Sequence, residues 1–265
     1  MTGAASGLGR ALAVEFARAG SDVVIADVDE AGLGETASMV EEAGSRCMAR
    51  RVDVSSRAQM EAFSREVLSG WGRVDILVNN AGVGVGGELK DVPLDDIEWI
   101  VGVNLMGEIY GTRLFLPQMI ERGGGHIVNV GSLSGLVLLP FHLPYTTTKF
   151  GLTGFSEALW AETRRCGVGV TLVCPGAIKT NIMTSTRLSA ATSGQEKMGD
   201  SWARLLEKGG KEPQEVARRI LAAVRDGKFL VFTGAESYAL YYLRRLAPGL
   251  MRRLAAVITR LASRG

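Results

Sequence analysis

Six short apolar runs limit how this 265-residue chain can fold: residues 22–27, 47–54, 74–79, 126–130, 168–174 and 229–232. They are near-continuous in apolar residues rather than alternating, the pattern of strands covered on both faces. Helical patterns lie between them, for example at 58–68 and 145–165. Glu212-Pro213-Gln214-Glu215 opens another, with proline early and acids near the positive end of the helix. Such alternation predicts an α/β fold: a doubly wound, mostly parallel sheet with helices on both faces. Composition agrees, with 46% apolar and 22% charged residues, near the globular average. No apolar stretch is long enough to span a bilayer.

The start of the chain, Thr2-Gly3-Ala4-Ala5-Ser6-Gly7-Leu8-Gly9, runs straight into an amphipathic helical segment. Glycines let a backbone approach a pyrophosphate closely, and a helix N-terminus offers free N–H groups to an anion. The run at 22–27 ends in Asp27, 18 residues after Gly9. An acid at that distance can accept hydrogen bonds from ribose hydroxyls.

Tyr145 and Lys149 lie four residues apart, and Ser132 precedes Tyr145 by thirteen. A helix brings residues i and i+4 onto one face. An ammonium beside a phenol favours the phenolate, so the tyrosine becomes a usable acid or base. A serine hydroxyl nearby could hold a carbonyl or alcohol oxygen. These are the parts needed to move a proton while a cofactor moves a hydride.

Together these residues resemble the short-chain dehydrogenase/reductase family, over residues 1 to about 232. Thr2-Gly3-x-x-x-Gly7-x-Gly9, with Ser6 and Leu8 inside it, is similar to the family's cofactor motif. Asp53-Val54 resembles the pair that flanks the adenine. Asn79-Asn80-Ala81-Gly82 resembles the segment that steadies the central sheet and borders the cofactor. Asn104, Ser132, Tyr145 and Lys149 match the catalytic tetrad in order and spacing, and Pro175-Gly176, with Ile178 and Thr180, resembles the nicotinamide-side loop. The resemblance implies a Rossmann-type NAD(P)-dependent oxidoreductase in which Tyr145 is the general acid/base. Lys149 would hold the nicotinamide ribose and favour the phenolate, and Ser132 would bond the substrate oxygen. Asn104 would bind a helix-kink carbonyl and a relay water. It also implies a homodimer or homotetramer, formed through two long helices.

Asp27, Val28, Asp29 and Glu30 follow one another, so a 2′-phosphate would meet negative charge. This favours NAD over NADP, with Arg10, Arg50 and Arg51 expected to be solvated or to meet acids. Leu133, Leu136, Leu138, Leu139, Pro140 and Phe141 follow the serine. Ile178, Ile182 and Met183 begin a lid segment at about 178–212. These apolar residues predict a lipophilic alcohol or ketone as substrate. His142 reads as a neutral hydrogen-bonding residue, and no metal site is expected. Cys47, Cys166 and Cys174 have no metal-ligand spacing; reduced thiols fit a cytoplasmic protein.

The net charge of +2 hides an asymmetry: from Ser237 onward there are six arginines and no acid, so residues 1–236 carry −4. The reading is a catalytic domain over 1–236 and a basic tail over 237–265. Leu243, Leu246, Leu250, Leu254, Ile258 and Leu261 form one apolar helical face in the tail, broken at Pro248-Gly249. A basic amphipathic stretch of this kind can lie on an anionic membrane or pack on a protein surface. Without interleaved aromatics beyond Tyr238, Tyr241 and Tyr242, a nucleic-acid partner is not expected. Finally, a glycine turn of this type needs a strand before it, and only Met1 precedes Thr2. The expectation is a first strand truncated to a stub, with a gap between the strands ending at Asp27 and Asn79.

Overall fold

The computed structural model describes residues 1–138, 140–179, 185–189 and 209–262. Local chemistry sets most element ends. Helix α1 (Gly7–Arg18) follows the glycine turn and leads to strand β1 (Val23–Asp27). The Asp29 carboxylate accepts from the Gly32 N–H and caps α2 (Glu30–Glu42), which leads to β2 (Cys47–Arg51). The Ser56 hydroxyl caps α3 (Arg57–Trp71), and Gly72, left-handed at φ 74°, ends it. Next come β3 (Ile76–Asn79), a short β4 (Gly84–Gly86) and α4 (Leu94–Val101). A π-helical turn, Gly102–Met106, joins α4 to α5 (Gly107–Glu121). Then follow β5 (Gly125–Val130), α6 (Leu143–Thr163), β6 (Val168–Cys174), β7 (Thr186–Leu188), the helix Pro213–Arg225, β8 (Leu230–Phe232) and two tail helices, Ala235–Leu246 and Pro248–Ala262.

All strand pairs are parallel: β1 with β2, and β3-β5-β6-β8 in that order. Helices cover both faces. On one, α1 and the helix Pro213–Arg225 pack Leu8, Leu12, Phe16, Val216 and Ile220 against Ile25, Val78 and Val173. On the other, α3 and α5 pack Met60, Phe63, Phe115 and Met119 against Leu77 and Ile127. The six apolar runs are strands β1, β2, β3, β5, β6 and β8. One departs from the expected burial: β2 lies at the sheet edge, so Arg50 and Arg51 are exposed rather than covered on both faces.

The sheet is interrupted between β1 and β3, where the sequence places a gap. Among the described residues, Met1 and Thr2 bridge it. The Met1 amine donates to the Val24 carbonyl (2.8 Å), Ala26 N–H to the Met1 carbonyl (2.9 Å), and Thr2 N–H to the Val78 carbonyl (3.0 Å). Beside this bridge lies a cleft of about 490 Å³ lined by Val24, Met60, Phe63, Leu77 and Phe115, among others.

The tail is continuous with the body. Its first helix begins at Ala235, and Phe232 meets Tyr238 edge-on and Tyr241 at a tilt, with ring centroids 4.5 and 5.4 Å apart. Arg244 turns inward, donating to the Leu136 carbonyl and lying over the Phe150 ring. Among the described residues no helix is long and apolar enough to cross a membrane.

Candidate active site

At the C-terminal ends of β1, β3, β5 and β6 the chain opens into one cavity of about 450 Å³. Its lining holds Gly3, Ser6, Gly7, Leu8 and Gly9; Asp27, Asp53 and Val54; Asn80, Ala81 and Gly82; Ser132, Tyr145 and Lys149; and Pro175, Gly176 and Ile178. Residues scattered over 175 positions of sequence thus converge on one space. Asn104 is fully buried behind it. Thr180, Ile182, Met183 and most of the 178–212 lid segment lie outside the described residues, as does Leu139.

One end of the cavity fits a dinucleotide. Ser6 precedes α1 in extended backbone and makes no side-chain cap, which leaves first-turn N–H groups for an anion. Gly3 stands at φ 64°, and a Cβ there would come within 2.6 Å of the Ala81 backbone. A Cβ on Gly9 would collide with the Gly3 carbonyl. The Asn80 amide fastens this turn by donating to the carbonyls of Thr2 (3.1 Å) and Gly3 (2.8 Å). Asp27 accepts from the N–H groups of Ala5 (2.9 Å) and Val28 (2.7 Å). Arg10 bonds Thr36 and Glu35, Arg50 pairs with Glu66, and Arg51 lies 3.8 Å from Glu30. Each of these three arginines meets an acid.

The other end carries the titratable side chains. Tyr145 and Lys149 lie on α6, which opens with Pro144 near its N-terminus. Tyr145 is half-buried and Lys149 almost fully buried. The Lys149 ammonium donates to the Val130 carbonyl at 2.9 Å and stands 3.5 Å from the Glu108 carboxylate. Burial pushes Glu108 up to about 8, against the pull of Lys149. Ser132 ends the loop after β5, and its hydroxyl accepts from the Ser134 N–H (3.1 Å).

Two side chains, Asn104 and Leu136, sit differently from the sequence reading, while His142 and Cys174 sit as read. Asn104 lies in the helix kink, but its amide reads Val83, accepting from its N–H and donating to its carbonyl, both at 2.8 Å. It thereby ties the π turn to the segment after Gly82. Leu136 packs with Leu172, Cys174 and Phe232 in the core instead of forming the cavity wall. His142 is held by the Pro140 carbonyl at 3.0 Å. Cys174 is a free, buried thiol pushed up to about 12 by burial. The sequence reading missed Val83, Trp99 and Val103, which also line the cavity; Trp99 on α4 and Val103 on its π extension look like ordinary core positions, and Val83 lies in the loop between β3 and β4. It missed Glu108 too, whose only signal is a carboxylate four residues after Asn104.

Comparison with known proteins places the chain in a family. The model of the short chain dehydrogenase family matches residues 1–191, and the chain belongs to that family. It is 39% identical to a probable oxidoreductase, EphD of Mycobacterium tuberculosis, over 95% of this chain, but spans only 43% of that protein's length. SadH of the same organism, also named as an oxidoreductase, is 35% identical, with 97% of this chain and 92% of SadH covered. A short-chain dehydrogenase/reductase from Burkholderia phymatum, solved with NAD, superposes with a TM-score of 0.88 at 33% identity, covering 94% of this chain and 93% of that one. Other structural relatives were solved with NADP or NADPH. What the chain shares with these relatives is the family and its fold.

Proposed function

We propose that this enzyme transfers a hydride between NAD and a lipophilic secondary alcohol or ketone, with Tyr145 as general acid/base. The observation that carries this reading is the single cavity: the glycine turn and Asp27 line one end, and Ser132, Tyr145 and Lys149 the other. The turn and the α1 N-terminus hold the pyrophosphate, and Asp27 receives the adenosine ribose. Asp53 and Val54 flank the adenine, and Pro175, Gly176 and Ile178 border the nicotinamide. The cofactor, when bound, accepts or supplies the hydride at the substrate carbon. In alcohol oxidation the Tyr145 oxygen takes the hydroxyl proton; in ketone reduction it returns a proton to the carbonyl oxygen. Lys149 favours the phenolate, Ser132 bonds the substrate oxygen, and Asn104 braces the wall beside Gly82.

Two further parts of the reading have their own support. NAD is favoured because Asp27 would repel a 2′-phosphate and the nearby arginines are engaged by acids. A lipophilic substrate suits a wall of Val83, Trp99, Val103 and Ile178. The helix Pro248–Ala262 leaves Leu250, Leu254, Val257, Ile258 and Leu261 exposed, with Arg252, Arg253 and Arg260 also exposed. Tyr238, Tyr242 and Leu246 extend the exposed apolar surface along the preceding helix. Apolar residues bounded by arginine and tyrosine suit an anionic lipid surface, and that surface is the partner we assign to the tail.

Turnover of a panel of lipophilic alcohols, followed by NADH absorbance, tests the assignment. Tyr145→Phe should lower turnover at least ~100-fold while leaving NAD binding nearly intact. A variant that keeps more than a tenth of wild-type turnover, with chemistry rate-limiting, would refute the role of Tyr145.

A further inference from the structure

Glu108 is a buried carboxyl that neither the cofactor cradle nor the proton transfer uses. It sits in the first turn of α5 and is 2% exposed. Among the described residues, neither carboxyl oxygen makes a hydrogen bond of good geometry. Its neighbour is the Lys149 ammonium at 3.5 Å, itself buried, whose hydrogen bond goes to the Val130 carbonyl. A buried ion pair stabilises a fold only when its remaining hydrogen bonds are made, and those of Glu108 are not. Stability therefore gives no account of this carboxyl.

The elements around Glu108 bring no second charge to it. From β3, the Asn79 amide donates to the Glu108 backbone carbonyl, at 3.4 Å, and to Thr112 of α5. Helix α3 packs Met60 and Phe63 against α5. On β6, Cys174 lies within reach of the Lys149 charge but is held as a neutral thiol. Among the described residues Lys149 is the one charged group acting on Glu108, and Lys149 belongs to the Tyr145 site.

Resting on the reading of Tyr145 and Lys149 above, we propose that Glu108 is a positioning residue: it competes with the Tyr145 oxygen for the Lys149 ammonium and so sets the pH range over which Tyr145 takes up a proton. One ammonium cannot fully stabilise two neighbouring anions. While Glu108 is protonated, the whole positive charge of Lys149 supports the phenolate. Once Glu108 ionises, it neutralises that charge and the phenolate loses part of its support. The proton that leaves Glu108 on ionisation goes to solvent, so the substrate reaction itself is unchanged in stoichiometry.

Glu108→Gln keeps the shape and removes the charge. For alcohol oxidation, kcat/KM plotted against pH should match wild type below about pH 8 and lie above it at higher pH, where wild-type Glu108 is ionised. Glu108→Asp, which keeps a carboxyl, should stay nearer the wild-type profile. A folded Glu108→Gln protein with an unmoved profile overturns the proposal. If that variant does not fold, infrared spectroscopy of wild-type protein labelled with ¹³C-glutamate reads the same group. A protonated-carboxyl band should persist at neutral pH and fade near pH 8; its absence at neutral pH also overturns the proposal. Tyr145→Phe separates the two levels. Retained turnover there sinks the Tyr145 reading and this inference with it, whereas lost turnover with an unmoved Glu108→Gln profile sinks this inference alone.

Discussion

The Asp27 carboxylate accepts a hydrogen bond from the Ala5 N–H at 2.9 Å, so the acid that ends β1 and the glycine turn are fastened to each other. The bond orients the carboxylate at the cavity rim, beside the exposed Val28. Asp27→Ala combined with Val28→Arg should remove the repelling charge and supply a phosphate partner. The ratio of kcat/KM for NAD to that for NADP should fall by at least about tenfold, given ~1.5–3 kcal/mol for a hydrogen bond to a charged group. A wild-type enzyme that already prefers NADP would contradict the charge argument.

Gly9→Ala tests the cradle. The added methyl would run into the Gly3 carbonyl, which is backbone and cannot swing aside. NAD affinity, measured by calorimetry, should fall at least about tenfold, since displacing the turn strips a charged ligand of hydrogen bonds worth ~1.5–3 kcal/mol each. Wild-type affinity in this variant would mean that the pyrophosphate does not lie on this turn.

Glu108 also makes a stability prediction, and its sign is the reverse of the usual carboxylate case. Its folded value, about 8, lies above the ordinary 4.5, so folding takes up a proton. Stability from this group is full below about pH 4.5 and is lost as pH rises through about 8. Glu108→Gln should therefore raise Tm at pH 9 more than at pH 5, by roughly 2–4 °C for each kcal/mol recovered. Equal shifts at the two pH values would show that the carboxyl titrates normally.

For the tail, Arg252→Glu with Arg253→Glu should weaken co-sedimentation with phosphatidylserine vesicles, at about 1 kcal/mol per basic residue near the surface. The loss should shrink as salt is added. Full-length protein that ignores such vesicles at low salt would leave the Pro248–Ala262 helix as a packing or oligomer contact.

Much of this molecule is written locally. The apolar runs at 22–27, 168–174 and 229–232 are strands because continuous apolar side chains demand cover on both faces, and no distant residue is needed to see it. The glycine turn, Asp27 and the Tyr145–Lys149 spacing were legible for the same reason, since turn geometry and helical period act over a few residues. What tertiary structure decided is which side chains meet across long separations. Asn104 bonds Val83 rather than a helix carbonyl, 21 residues away. Leu136 goes to the core because β6 and β8 arrive beside it. Arg244 leaves the basic face because the Leu136 carbonyl, 108 residues earlier, accepts its hydrogen bond. Glu108 looks like any surface acid in sequence; only the packing of α5 and α6 over the sheet removes its water and gives it Lys149 as its charged neighbour. Periodicity fixes which face of an element is covered, but burial and charge pairing depend on neighbours that only the assembled fold supplies.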